Sequence, residues 1–263
     1  QAGGCLCAVL IAACGVLRLY GAPDSENAGP ASEAVKSAMT DYDTGLELLN
    51  TERDDAALAA FRSAITKTEA ATEPAARVIR STAANNAGNI LLRRGQAAEA
   101  EALYRQAVDA DPKHALAINN LGVALLKQGQ VQEAVATFEQ AVRVDPKHGM
   151  ALNNLASLLI QAGKLELAAK YLATSLKLNP QNRRQTLLLT ARLYDKANRP
   201  AKAQESLYQT LAATTDGSPI ARLKLATEYL QAGILGQAER ILASLLQKEK
   251  EWPEARLQQA RVQ

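Results

Sequence analysis

Residues 118–129, INNLGVALLKQG, set an apolar run behind two adjacent asparagines. The run reads as helix, with Leu121, Gly122 and Leu125 on its core-facing side. Asn119 and Asn120 open it at a cost, since each Asn loses roughly half a kcal/mol against Ala in a helix. The same pattern of apolar and polar places recurs at a shift of 34 residues: NNAGNILLRRG over 85–95, NNLGVALLKQG over 119–129, NNLASLLIQAG over 153–163. Agreement continues through Ala100, Ala134 and Ala168, then Tyr104, Phe138 and Leu172, then Asp111-Pro112, Asp145-Pro146 and Asn179-Pro180. Each copy therefore predicts two helices. Gly95, Gly129 and Gly163 end the first, where a left-handed residue is cheapest on Gly. The Pro stops the second. Small residues at Gly88, Gly122 and Ala156 let the paired helices approach. Self-similarity at such a period marks stacked repeats.

Weaker copies flank this core. Upstream, Gly45, Ala57, Phe61 and Ala64 give a unit at about 38–71, and an insertion around Pro74 then lengthens the helices. Downstream, Ala191, Asn198, Ala203 and Leu207 form a unit one residue out of phase. Asn198 stands there for the glycine, being the next residue best tolerated in a left-handed cap. Ala226, Gly233, Ala238 and Leu242 form the last, with Asp216-Gly217-Ser218-Pro219 as its turn, cap and helix start. The order small-Leu-Gly, Ala, aromatic, Ala and Pro resembles the tetratricopeptide repeat. That resemblance implies an all-α fold: an α-solenoid of about six helix-turn-helix units in a right-handed superhelix. The expected divisions are a signal or membrane anchor over 1–22, a flexible linker over 23–37, the solenoid over 38–252 and a capping helix over 253–263.

In this family the first helices line the concave face, which turns Asn120 and Val123 to the groove. Asn86, Asn120 and Asn154 then form a column of amides, each offering two donors and an acceptor to an extended peptide backbone. Similar columns mark the tetratricopeptide domains of the O-GlcNAc transferases and some cargo adaptors. Repeats advance by roughly 10 Å and an extended chain by about 3.3 Å per residue, so one rung serves about three residues. The competing reading, which the groove reading outweighs, is that Asn at this place is a habit of the helix surface in recently duplicated units. Asn85, Asn119 and Asn153 read as edge or interhelical hydrogen-bond formers. Asn89 joins the candidate site, with Arg93, Lys127 and Arg192 biasing the groove towards acidic ligands. The column ends where Asp43, Leu189 and Lys224 take the place.

Composition narrows the rest. Aromatics make up 4% of the chain and good helix formers dominate it. A net charge of +3, with no basic stripe interleaved with aromatics, points away from a nucleic-acid partner. Residues 3–17, GGCLCAVLIAACGVL, are apolar or small and hold all three cysteines, Cys5, Cys7 and Cys14. The run is short of the ~20 residues that span a bilayer and suits the core of a secretory signal. Ile11-Ala12-Ala13-Cys14 resembles the lipobox of bacterial lipoproteins, which implies a lipid on Cys14. An uncleaved anchor running to about Ala22, with Arg18 at the headgroups, competes equally. His114 and His148 lie one repeat apart in turns and read as copied surface residues, not metal ligands. With no phosphate loop and no His near a candidate Ser nucleophile, the expectation is a protein without enzymatic activity, cofactor, metal or small-molecule substrate. It would be a membrane-tethered scaffold in the bacterial envelope, facing the periplasm, that holds a partner's peptide during assembly of a pilus or secretion complex. The alternative is a permanent structural subunit whose groove a neighbour fills.

Overall fold

The computed structural model describes residues 31–178, 183–199, 202, 218–231, 235–248 and 253–260. Among these residues lie twelve α-helices and no strand. They are α1 (Glu33–Asn50), α2 (Asp54–Thr68), α3 (Pro74–Arg93), α4 (Ala97–Ala110), α5 (Ala115–Lys127) and α6 (Val131–Val144). Then come α7 (Gly149–Gln161), α8 (Leu165–Leu178), α9 (Arg183–Lys196), α10 (Pro219–Gln231), α11 (Leu235–Lys248) and α12 (Pro253–Ala260). None of these described helices is long and apolar enough to cross a membrane. The apolar N-terminal run, Cys14, Asn179-Pro180, Ala203, Leu207, Gly217 and Gly233 lie outside the described residues. The chain falls into two compact units, divided between Val144 and Asp145.

In the first unit α1 packs on α2, α3 on α4 and α5 on α6, and α2 and α4 bridge to the next pair. The seam within each pair is an aromatic ring laid on a glycine. A Cβ on Gly45, Gly88 or Gly122 would come within 2.6, 2.7 and 2.6 Å of the rings of Phe61, Tyr104 and Phe138. All three rings are fully buried. Alanines at Ala57 and Ala64, Ala100 and Ala107, and Ala134 and Ala141 flank the rings one turn away and are buried without exposure. The second unit repeats the scheme with other volumes: Ala156 and Leu172, both buried, stand where the glycine and the ring stood. There α7 packs on α8, both meet α9, and α10 pairs with α11. Ala226, Leu242 and Ala255 form one buried cluster, so α12 closes against the last pair.

The chain-reversal chemistry follows the glycines. Gly95, Gly129 and Gly163 have φ of 79°, 78° and 74°. In each case the glycine N–H bonds back to Leu92, Leu126 or Ile160, and the next N–H reaches Leu91, Leu125 or Leu159. These are Schellman caps, which use carbonyls the helix end would leave unpaired. Asn198, at φ 54°, does the same: its N–H bonds back to Asp195 and the next, of Arg199, to Tyr194. Glu52, at φ 58°, fills the role after α1, a place where a Cβ is unfavourable. Between pairs, the Asp111 and Asp145 carboxylates accept the N–H of Lys113 and Lys147 at 2.9 Å. Those Asx turns seat the prolines between the helices.

One boundary differs from expectation, and the expected insertion is seen. The first helix starts at Glu33, not near residue 38, because Ser32 caps it by accepting the Val35 N–H. Its first turns bury Val35, Ala38 and Met39. The insertion is taken up by α3, 20 residues long with Pro74 in its first turn, against 13 for α5 and for α7. Arg80 of α3 donates to the carbonyls of Thr68 and Ala71, which pins the connection.

The histidines are not surface copies. His114 is buried, its Nδ1 2.7 Å from the Ser81 hydroxyl. That hydroxyl also donates to the Ala107 carbonyl, and it has one proton, so His114 supplies the other. His148 plays the opposite part: its Nδ1 accepts the Ala151 N–H at 3.2 Å and caps α7. Burial holds its ring below the ordinary 6.5, with Asp145 opposing.

Two predictions follow from this packing. Gly122→Ala should destabilise by about 1–3 kcal/mol through overpacking. Adding Phe138→Leu should recover much of that loss, giving a clearly non-additive cycle in urea melts. For His148, the unfolded imidazole protonates first, so its capping contribution is complete above 6.5 and lost as the pH falls through that value. Melts between about pH 8 and about pH 5 should show a His148→Asn variant losing less stability than the parent, by up to about 1 kcal/mol, the worth of an N-cap.

Candidate functional site

The ring-on-glycine seam also fixes what the first helices present on their other side. Asp43, Asn86 and Asn120 each stand two residues before the stacked glycine, on α1, α3 and α5. They occupy the same register in successive pairs, and α1 meets α3 as α3 meets α5. All three side chains are half-buried. One residue earlier, Asn85 and Asn119 are buried between helices.

These amides bond to one another. Asn120 Nδ2 donates to Asn85 Oδ1 at 2.9 Å and to Asn89 Oδ1 at 3.1 Å, both on α3. Asn89 Oδ1 also accepts the hydroxyl of the buried Tyr104 at 2.7 Å. Asn119 Nδ2 reaches Asn120 Oδ1 at 3.3 Å. With both N–H bonds used and one oxygen lone pair engaged, Asn120 retains one acceptor position. Asn86 is held more loosely: it donates to Tyr42 at 3.4 Å and accepts from Asn85 at 3.5 Å, the outer limit of a hydrogen bond. Asn89 is therefore an orienting partner of Asn120. The signal was available in the sequence, since Asn89 falls three residues after Asn86 on the same helical face.

The charges divide differently from the cationic groove expected. Arg93, exposed at the end of α3, donates from Nη2 to both Asp54 oxygens at 3.0 and 3.1 Å, and Arg94 pairs with Asp55. Lys127 is exposed at the end of α5. Asp43 makes no ion pair among the described residues. Burial, and then repulsion from Glu47 one turn on, raise its carboxyl above the ordinary value.

Asn154 and Arg192 belong to the second unit, on α7 and α9, and both are half-buried. Beside Asn154, the buried Asn153 exchanges two hydrogen bonds with Thr186 of α9, at 3.0 and 3.1 Å. Ser175 adds a third contact to Thr186 at 3.1 Å. Asn153 thus ties neighbouring helices, as Asn85 does in the first unit.

One pairing was invisible in the sequence. Ser81 and His114, 33 residues apart, lie within hydrogen-bond reach. Both are sealed from solvent, and the serine proton is committed to Ala107, so a substrate has no approach to the hydroxyl. Among the described residues no three His, Cys, Asp or Glu side chains are grouped to hold a metal ion.

Comparison places this arrangement among known proteins. Tetratricopeptide repeat family models match residues 79–147 and 119–183. No curated protein matches the sequence. A tetratricopeptide repeat protein from Parabacteroides merdae is similar in structure at 16% identity, with 86% of each chain covered and a TM-score of 0.64. PilW, described as a widely conserved type IV pilus biogenesis factor, is 20% identical over 86% of this chain and 99% of its own, with a TM-score of 0.62. YrrB, described as a tetratricopeptide protein with an unusual peptide-binding site, is 20% identical over 66% and 85%, with a TM-score of 0.52. At such identities the likeness is one of fold. Helix pairs, glycine caps and both family matches converge on one conclusion: residues 79–183 are tetratricopeptide repeats, in a chain that shares the fold of proteins built from them.

Proposed function

We propose that the protein is a membrane-tethered interaction scaffold in a bacterial envelope, facing the periplasm. It holds an extended segment of a partner protein against the first helices of its repeats while a larger complex, of pilus or secretion type, is assembled. The observation that carries this reading is the row of half-exposed amides at Asn86 and Asn120, one per repeat and in equal register. A peptide backbone presents a hydrogen-bonding group at matching intervals. Support of a weaker kind comes from PilW and YrrB, whose descriptions name pilus biogenesis and peptide binding. Asn154 and Arg192 extend the same proposal to the second unit, and Lys127 lies at the edge of the first.

The internal hydrogen bonds favour a visiting segment over a permanently seated neighbour. Buried polar groups need partners, and here the amides satisfy one another without a ligand. A groove of this kind is stable empty. Binding at Asn86 displaces only two long bonds, whereas Asn120 keeps its two short ones and adds one.

The tether rests on the apolar segment ahead of the repeats. Mass spectrometry of the mature protein should find either a lipid-modified Cys14 at the N-terminus or the intact apolar run. Finding neither would remove the membrane from the proposal. For the groove, Asn86→Ala is the informative substitution because its bonds are long. Affinity capture by the tethered full-length chain should lose its partner about tenfold, with Tm almost unchanged. Asn120→Ala should additionally cost about 1–2 kcal/mol, since it leaves Asn85 short of a donor. Undiminished capture by Asn86→Ala would end the amide-wall reading.

A further inference from the structure

We infer, resting on the groove reading above, that the first unit selects a basic segment: an extended chain with a lysine or arginine side chain set against Asp43 and its backbone N–H groups against Asn86 and Asn120. The inference reverses the preference for acidic ligands that the arginines and lysines of the sequence suggest.

Three observations carry it. Asn120 is locked in orientation, because both its N–H bonds run to Asn85 and Asn89, and Asn89 is itself fixed by Tyr104. What it can offer a ligand is oxygen. Next, Arg93 at the end of α3 is engaged with both oxygens of Asp54. Lys127 stands two helical turns beyond Asn120 on α5, about 10 Å along the helix axis. Last, Asp43 continues the row of Asn86 and Asn120 as a carboxylate, with Glu47 on the next turn of α1 and no cation to meet either among the described residues. Each rung of the row therefore offers an acceptor, Asn86 keeping a donor as well, and the row is negative at its α1 end. A ligand rich in donors and positive charge complements it, and a glutamate or a chain carboxylate does not. The spacing agrees: rows about 10 Å apart put successive rungs about three residues apart on an extended chain.

The test uses the full chain in detergent and three labelled peptides of one length, carrying lysine, glutamate or serine at every third position. Fluorescence anisotropy at low salt should rank lysine tightest, by at least about tenfold over the other two. Bulk attraction to a chain of net charge +3 would favour the glutamate peptide, so a lysine preference reports the local row. Asp43→Asn should bring the lysine peptide to within about threefold of the serine one, and Asp43→Glu should keep the preference. If glutamate ranks first, or the three bind alike, the basic-segment inference is overturned while the groove reading stands. If none binds, both fall together.

Discussion

The contact on which everything else rests is an aromatic ring lying on a bare stretch of helix backbone. Phe61 on Gly45, Tyr104 on Gly88 and Phe138 on Gly122 set how closely the two helices of each pair approach. Close packing leaves no slack for an added methyl. The same contact fixes the rotation of each first helix, since the glycine must face its ring. Rotation in turn decides which residue two places earlier looks outward. In this way a core contact made of carbon determines where the amides stand. The exchange of glycine and ring for Ala156 and Leu172 preserves the sum of volumes while altering both members, which is how cores tolerate change.

The polar layer beside that core is organised by mutual satisfaction. Asn85 and Asn153 are buried and tie neighbouring helices, one through Asn120 and the other through Thr186. Their partners differ, yet the demand is the same: a buried amide must find donors and acceptors within the protein. Repeats therefore carry paired asparagines for two reasons. The first of each pair holds the stack, and the second lines the face where a ligand is proposed to lie. Separating the two duties explains why a poor helix former is used twice in succession.

Much of this was legible before any coordinates. Gly95, Gly129, Gly163 and Asn198 were readable as left-handed caps because that conformation excludes most other residues. The pairing of helices followed from the period. Glu52 was not readable, since its left-handed backbone goes against its side chain and is imposed by the Schellman bonds to Leu48 and Leu49. The ion pair of Arg93 was unreadable for a different reason. Its partner Asp54 lies 39 residues earlier in the preceding pair, and a repeat pattern lines up equivalent residues without saying which unlike residues meet. His114 and His148 make the point sharply: both follow Asp-Pro-Lys, yet they differ in burial and in which way the Nδ1 proton bond runs.

The long third helix has a consequence for how such chains change over time. Gly45 and Gly88 are 43 residues apart, Gly88 and Gly122 only 34, yet all three meet their rings at the same distance within 0.1 Å. The extra residues were absorbed mainly in the first turns of α3, between Pro74 and Gly88, next to the corner where Arg80 clasps two carbonyls. The start of α3 is a place where this architecture accepts inserted sequence, so length can be added there while Asp43, Asn86 and Asn120 keep their register.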